Sequence, residues 1–375
     1  MKLRIGINTR FLLADKMEGF GWYTFEVTKR MVLAHPEVEF YFFFDRKFDP
    51  KFVFAQNVKP IVLHPQARHP ILFKIWFNHS ITKAIKKYKI DLFFSPDGYL
   101  SLKTKIPQIG VIHDLNFEHF PNDLPKRDSA YLRKYFPKFA HKAAQIVTVS
   151  EFSKKDIIQQ YQIDPSKITV AYNGINPNFH IIDEAEKSAT RANYCNGNEF
   201  ILFVGSIHPR KNLKRLLQAF DQYKTKSEST TQLLIVGDRY WWTNDLQRIF
   251  QSLRYKEHIH FTGHLDQAAL IRVTGSAKFM AYLSYFEGFG LPVGESMQAR
   301  VPVLASNQTS IPEVGGNAVH YSDPFSIQSI VEGIQKLDTE EEYRTELIHK
   351  GIIQARKFSW DHTSEIVWKE IEKLS

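Results

Sequence analysis

Residues 200–237 read FILFVGSIHPRKNLKRLLQAFDQYKTKSESTTQLLIVG. Two short apolar runs, Phe200–Gly205 and Gln232–Gly237, flank an amphipathic stretch, Asn212–Tyr223. Runs this short and this apolar suit strands buried on both faces, and the stretch between them has helix length and spacing. Strand, helix, strand in that order implies a parallel pair joined by a crossover helix. The alternation continues downstream as helix Asn244–Leu253, strand Ile259–Thr262, helix Asp266–Ser276, strand Ala277–Leu283, helix Pro292–Ala299 and strand Val303–Ser306.

Upstream the same pattern is found in strand Lys2–Asn8, helix Gly21–Leu33, strand Glu37–Phe44, helix Trp76–Lys87, strand Leu92–Ser95 and strand Ile109–His113. It closes with helix Tyr131–Ala144, strand Ile146–Ser150, helix Ser153–Tyr161 and strand Ile168–Ala171. Between the two series, Asn173 to Asn198 contains Pro177, Gly174, Gly197 and several asparagines, a linker composition. The chain therefore reads as α/β, with two doubly wound parallel-sheet domains that meet near residue 180. The last stretch, Trp360–Leu374, reads as an amphipathic helix with Ile366, Val367, Trp368 and Ile371 for burial.

Composition agrees with this reading. At 375 residues the chain suits two domains, and 43% hydrophobic residues supply two cores. The lone Cys195 excludes an internal disulfide and fits a reducing compartment. No signal-peptide pattern opens the chain, and no apolar run approaches the roughly 18 residues of a membrane span. The net charge of +9 is uneven: residues 1–180 hold 27 Lys and Arg against 16 Asp and Glu, whereas residues 181–375 hold 22 against 24. A basic first half favours an anionic partner such as a phospholipid surface or a phosphorylated acceptor, with plain surface solubility as the alternative. No nucleic-acid motif accompanies the charge.

In open parallel sheets ligands sit beyond the carboxyl ends of the strands, so chemistry is sought there. After the strand Ala277–Leu283 comes EGFGLPVGE, residues 287–295. Its glycines, Gly288, Gly290 and Gly294, let backbone approach a ligand. Pro292 suits a first helical turn, and helix N-terminal amides bind phosphate. Glu287 and Glu295 are carboxylates able to accept from a ribose diol or sugar hydroxyls; a glycine-rich turn with a capping acid is the alternative. After Phe200–Gly205 comes SIHPRKN, where Arg210 and Lys211 can neutralise a leaving diphosphate. Cations at a helix N-terminus oppose its dipole, which weighs against a purely structural role. Near the N-terminus Glu18-Gly19-Phe20-Gly21 is a glycine turn lacking the third glycine of a dinucleotide fingerprint. His113-Asp114 ends a strand, where a histidine can bond a substrate hydroxyl. Ser150 is a possible helix cap, and Glu313 lies in a glycine-rich loop. No metal-binding motif is present.

Together these segments resemble the family 4 glycosyltransferases of GT-B fold over nearly the whole chain. The glutamate pair in EGFGLPVGE carries the resemblance, with VIHD, VSEFSKKD, YNG, VGSIHPRKN and SIPEVGGNAVHYSDP in family order. The resemblance implies two Rossmann-like domains facing a central cleft. Residues 1–180 plus a C-terminal helix, about 358–375, would bind the acceptor. Residues 181–357 would bind the nucleotide-sugar donor. It implies that Arg210 and Lys211 hold the donor phosphates and that Glu295 holds the ribose. Glu287 would meet the transferred sugar, and Gly205, Gly288, Phe289, Gly290 and Leu291 would line the donor. His113, donating to a sugar hydroxyl, and Asp114, Gly19 and Gly21 would serve the acceptor side. Glu18 stands where the family commonly has another glycine.

The implied activity is retaining, metal-free hexosyl transfer without a cofactor. The HPRKN form is similar to bacterial mannosyltransferases using GDP-mannose, and the acceptor would be a growing surface glycan or a lipid-linked one. The enzyme would be cytoplasmic, with peripheral contact at an anionic membrane and no nucleic-acid partner. A sugar epimerase or phosphorylase of the same fold, or a non-catalytic nucleotide-sugar binding protein, are the competing readings.

Overall fold

The computed structural model describes residues 2–14 and 17–375, and the chain divides into two units. The first comprises residues 1–174 and 359–375, the second residues 175–358. The division falls at Gly174, six residues before the expected boundary at 180. Ile175 already belongs to the second unit: a Cβ on Gly294 would lie 2.4 Å from the Ile175 Cδ1. Gly174 in turn belongs to the first, its backbone lying against Trp360.

The first unit is built on seven parallel strands: β1 (Arg4–Asn8), β2 (Glu39–Phe44), β3 (Val58–Val62), β4 (Leu92–Ser95), β5 (Gln108–Ile112), β6 (Gln145–Thr148) and β7 (Ile168–Val170). Their order is β3-β2-β1-β4-β5-β6-β7. The second unit has six parallel strands: β8 (Phe200–Val204), β9 (Gln232–Val236), β10 (Ile259–Gly263), β11 (Phe279–Tyr282), β12 (Val303–Ser306) and β13 (His320–Ser322), in the order β10-β9-β8-β11-β12-β13. Both orders reverse direction once, between β1 and β4 and between β8 and β11. These are the doubly wound, Rossmann-like topologies whose ligand crevices open at the reversal. The central strands are mostly apolar because helices cover both faces; β4, β5 and β9 are buried at every residue, Ser95, Gln108 and Gln232 included.

The final helix, Trp360–Glu372, packs on the helix Gly19–Ala34 of the first unit. Val367 and Ile371 are fully buried, and Arg30 Nε donates to Asp361 Oδ1 at 2.5 Å. Trp368, expected in the core, is half-buried and stacks on the His35 ring at 3.5 Å between centroids.

Several elements depart from the sequence reading. The expected linker contains the helix Glu184–Cys195, capped by the Asp183 carboxylate, which accepts from Glu186 N at 2.8 Å. Strand β3, the edge of its sheet, went unrecognised because Pro60 interrupts it. β13 and the helices Ile327–Thr339 and Glu341–Ala355 follow the last expected strand. The expected helix Trp76–Lys87 is part of a longer helical run, Pro70–Ile75, Trp76–Ile81 and Thr82–Tyr88, with a π turn in its middle segment. No helix among the described residues is long and apolar enough to cross a membrane.

Candidate active site

In the second unit the expected donor residues lie at the carboxyl ends of β8 and β11, the strands that flank the reversal. After β8 the chain makes a short 3-10 turn, Pro209–Lys211. His208 caps it, its Nδ1 accepting from Arg210 N at 3.3 Å. Asn212 then adopts a left-handed conformation, φ 60°, a region that asparagine enters more readily than most residues. Its buried amide donates to Leu283 O at 3.1 Å and Pro324 O at 2.6 Å. Tyr285 N also donates to Arg210 O at 3.0 Å. The two strand-end segments are thereby clasped together, which fixes where Arg210 and Lys211 point.

They point at Glu287. Lys211 Nζ lies 2.6 Å from Glu287 Oε1 and 2.9 Å from the Tyr282 hydroxyl. Arg210 forms an ion pair with Glu287 Oε2 and donates to Phe286 O at 3.1 Å. The Glu287 residue is 5% exposed. Burial alone would raise its carboxyl, but the charges of Arg210 and Lys211 overcome that and hold it at about 2. Tyr282 is raised well above its ordinary value, first by burial and then by the Glu287 charge. Arg210, Lys211 and Glu287 thus form one ionised cluster with an excess positive charge. Gly205 lies beneath the Lys211 stem, a Cβ there falling 3.5 Å from Lys211 Cε.

Gly288 and Phe289 are buried in the loop, with the Phe289 ring edge-on to Phe358 at 5.3 Å. Gly290, at φ +105°, turns the chain into the helix Leu291–Gln298; a side chain would be strained there. Pro292 in the first turn of that helix has no N–H and Val293 N donates to Gly290 O at 3.0 Å, so what this turn offers an anion is chiefly the positive end of the helix dipole. Glu295 sits one turn further on, half-buried. Its carboxylate touches none of the other three charged groups, and burial pushes it up to about 7.

The loop after β12 holds this arrangement from behind. Thr309, at φ 57°, accepts from Glu287 N through Oγ1 at 3.1 Å. The fully buried Ser310 hydroxyl lies 2.8 Å from Glu287 O and 3.2 Å from Phe289 O. A β-branched residue in the left-handed region carries strain, a feature concentrated at working sites. Ser310→Ala is expected to cost about 1–3 kcal/mol, because two buried carbonyls lose their donor. Thr309→Ser, which keeps the hydroxyl, is expected to stay within about 1 kcal/mol of the native protein. Urea unfolding of both variants checks this, and equal midpoints would show that the backing loop holds nothing.

In the first unit Gly19 and Gly21 flank Phe20 at the start of the helix Gly19–Ala34. Phe20 and Tyr23 meet the His113 ring edge-on, each at 4.8 Å. Gly21 is required by packing, since a Cβ there would lie 2.8 Å from Phe11 O. Gly19 faces open space. Asp114 precedes the short helix Asn116–His119, its Oδ1 accepting from Asn116 N at 2.9 Å. His113 Nε2 lies 2.8 Å from Pro96 O. A carbonyl only accepts, so that nitrogen carries the proton. Burial lowers the His113 pKa against the opposing effects of Pro96 O, Asp114 and Asp97. A neutral ring protonated at Nε2 offers Nδ1 as an acceptor. In this tautomer the Nε2 proton is engaged by Pro96 O, which leaves Nδ1, an acceptor, where a donor was expected.

Sequence reasoning missed the polar core that anchors Pro96. Arg10 Nε donates to Asp97 Oδ2 at 2.6 Å, with both side chains 5% exposed or less. The rings of Phe11, Phe73, Phe77 and Tyr99 surround the guanidinium at 4.4 to 5.5 Å. Asp97 Oδ1 also accepts from Asn8 Nδ2 at 2.8 Å and Ser95 Oγ at 3.0 Å. Tyr282, Asn212, Thr309 and Ser310 were missed too. Their role appears only once β11 and β12 are seen beside β8.

Two family models divide the chain between them: Glycosyltransferase Family 4 matches residues 17–179, and Glycosyl transferases group 1 matches residues 186–354. The O-antigen chain mannosyltransferase B of Escherichia coli is 26% identical over 357 residues, 92% of this chain and 93% of that protein. The sucrose-phosphate synthase structure from Thermosynechococcus elongatus superposes with a TM-score of 0.81 at 18% identity, covering 100% of this chain and 99% of that one. Anabaena HepE, solved with UDP and glucose, superposes with a TM-score of 0.77 at 17% identity over 99% and 100% of the two chains. With two doubly wound units and an acid–cation cluster at the reversal of the second, this chain belongs to the glycosyltransferases of GT-B fold, joining a family 4 unit to a group 1 unit.

Proposed function

We propose that this glycosyltransferase moves a mannosyl group from GDP-mannose onto a surface glycan, lipid-linked as it grows, with retention at the anomeric carbon. The observation that carries the reading is the cluster of Arg210, Lys211 and Glu287 beside a helix N-terminus. Two cations and a helix dipole supply the charge neutralisation that a departing nucleoside diphosphate needs, so the reading calls on no metal and no cofactor. Glu295, with no competing partner among the described residues, is read as the acceptor for the ribose diol. Gly205, Gly288, Phe289, Gly290 and Leu291 are read as the backbone around the donor.

In the proposed step the bond from the anomeric carbon to the diphosphate oxygen breaks, and the bond to the acceptor oxygen forms on the same face. The acceptor proton passes to the departing phosphate oxygen. Arg210 and Lys211 stabilise the charge that develops on the diphosphate. Glu287, kept ionised, receives hydrogen bonds from the sugar, and in the first unit His113 is read as accepting from an acceptor-side hydroxyl through Nδ1. The mannosyl donor is supported by the resemblance to the Escherichia coli O-antigen enzyme. The setting read from this is the cytoplasmic face of a membrane, without a nucleic-acid partner.

A thermal-shift screen with GDP-mannose, UDP-glucose and ADP-glucose tests the donor, because a ligand of the native state raises Tm by mass action. GDP-mannose is expected to give the largest rise. A larger rise with UDP-glucose would reassign the donor, and no rise with any of the three would overturn the reading.

A further inference from the structure

We propose that the helical run Pro70–Tyr88 is a docking face for an anionic lipid bilayer. This deepens the reading that the enzyme works at a membrane. From Pro50 to Ile90 the sequence contains no aspartate or glutamate, yet it contains Lys51, Lys59, Arg68, Lys74, Lys83, Lys86, Lys87 and Lys89. Lys59 is taken up by Glu39 at 2.7 Å. Among the described residues no ion pair engages Arg68 or the five lysines of the helical run and its end.

The run has two unlike faces. Trp76, Phe77, Ile81, Ala84 and Ile85 are 3% exposed or less and anchor it in the core of the first unit. The opposite face presents Ile71, Lys74, Ile75, His79, Lys83, Lys86 and Lys87 to solvent. Ile71 is 63% and Ile75 39% exposed, so two large aliphatic side chains stand in water beside a lysine. In a plain α-helix, residues taken every four positions drift around the axis by about 40° per step. The wider π turn at Trp76–Ile81 reduces that drift, and Ile71, Ile75, His79, Lys83 and Lys87, spaced four apart, are all exposed. From Ile71 to Lys87 the face extends about 24 Å, at 1.5 Å per residue.

A stripe of lysines ending in exposed isoleucines matches an interfacial helix: cations meet lipid phosphates while aliphatic side chains enter the headgroup boundary. The buried face keeps the run docked on its sheet, so it offers a rigid surface and not an inserting peptide. A nucleic acid would use the lysines and leave the isoleucines without a role.

Co-sedimentation of the full chain tests this with two kinds of vesicle, phosphatidylglycerol mixed with phosphatidylethanolamine, and phosphatidylcholine alone. The chain is expected to pellet with the first and not the second. The variant Lys74→Gln, Lys83→Gln, Lys86→Gln, Lys87→Gln is expected to lower partitioning roughly 10²-fold. Ile71→Ser with Ile75→Ser is expected to lower it roughly tenfold at unchanged charge. Equal pelleting with both vesicle types, or a lysine variant that partitions like the native chain, overturns the proposal. So does loss with the lysine variant but none with the isoleucine variant, which would reduce the face to a general polyanion site. The donor-induced rise in Tm, measured on the same variants, is expected to persist. Its presence beside failed sedimentation separates failure of this face from failure of the donor assignment.

Discussion

Lys211→Ala is expected to lower kcat/KM for the nucleotide-sugar donor by roughly 10²-fold or more, as for a lost charge-assisted contact of several kcal/mol in a shielded site. The ammonium is held between Glu287 and the Tyr282 hydroxyl, its side chain 11% exposed, so little water competes for it. The variant also leaves Glu287 with Arg210 as its remaining cation. The Glu287 carboxyl lies at about 2 in the folded chain against an ordinary 4.5, so its pairing stabilises the fold above about pH 4.5. That contribution is lost as pH falls through 2. Lys211→Ala narrows the gap, and the acid-unfolding midpoint is expected to move to higher pH. Steady-state kinetics and an acid titration check the two arms. Native-like donor kinetics would contradict the assignment of Lys211 to the diphosphate.

Glu295→Ala is expected to weaken donor use to a similar extent, roughly 10²-fold, with a signature in pH that Lys211 lacks. Burial sets the Glu295 carboxyl at about 7 in the free chain, and a ribose diol donates best to its ionised form. Donor binding should therefore lower that pKa and release a proton. Affinity should rise with pH from about 6 to 8, then level off. Glu295→Gln should flatten this profile while weakening binding.

The sign is opposite for the free fold. A carboxyl whose folded pKa lies above its ordinary 4.5 destabilises the native state progressively as pH rises from 4.5 to about 7, and by a constant amount beyond. Glu295→Gln should thus melt higher than the native chain at pH 8 and alike at pH 4. Calorimetric titration across pH checks the first statement and thermal melts the second. A pH-independent native affinity would remove Glu295 from the ribose.

Much of the architecture was legible because central parallel strands are continuous apolar runs. Leu92–Ser95 and Val303–Ser306 stand at the residues the pattern marks. Legibility failed where the cue was local chemistry and not hydrophobic period. The helix Glu184–Cys195 lies in a polar stretch, and its start was signalled only by Asp183 with Glu186 three residues on, a capping pair. β3 is a half-buried edge whose Pro60 argues against a strand until its place in the sheet is known.

The candidate site was legible as separate pieces, HPRKN after one strand and EGFGLPVGE after another. Their union was not, because it depends on β8 and β11 being neighbours across the reversal. The same limit hid Thr309 and Ser310, which matter only as the backing of the Glu287 loop. The direction of the His113 hydrogen bond was equally beyond reach, since it follows from the position of the Pro96 carbonyl.

The central claim is that the strand ends of the second unit hold a nucleoside diphosphate. A crystal structure of the chain with GDP bound tests it most directly. The account predicts the diphosphate against Arg210, Lys211 and the N-terminal end of the helix Leu291–Gln298, with the ribose hydroxyls on Glu295. Density for the nucleotide elsewhere, with Lys211 still on Glu287 and no hydroxyl facing Glu295, would contradict it.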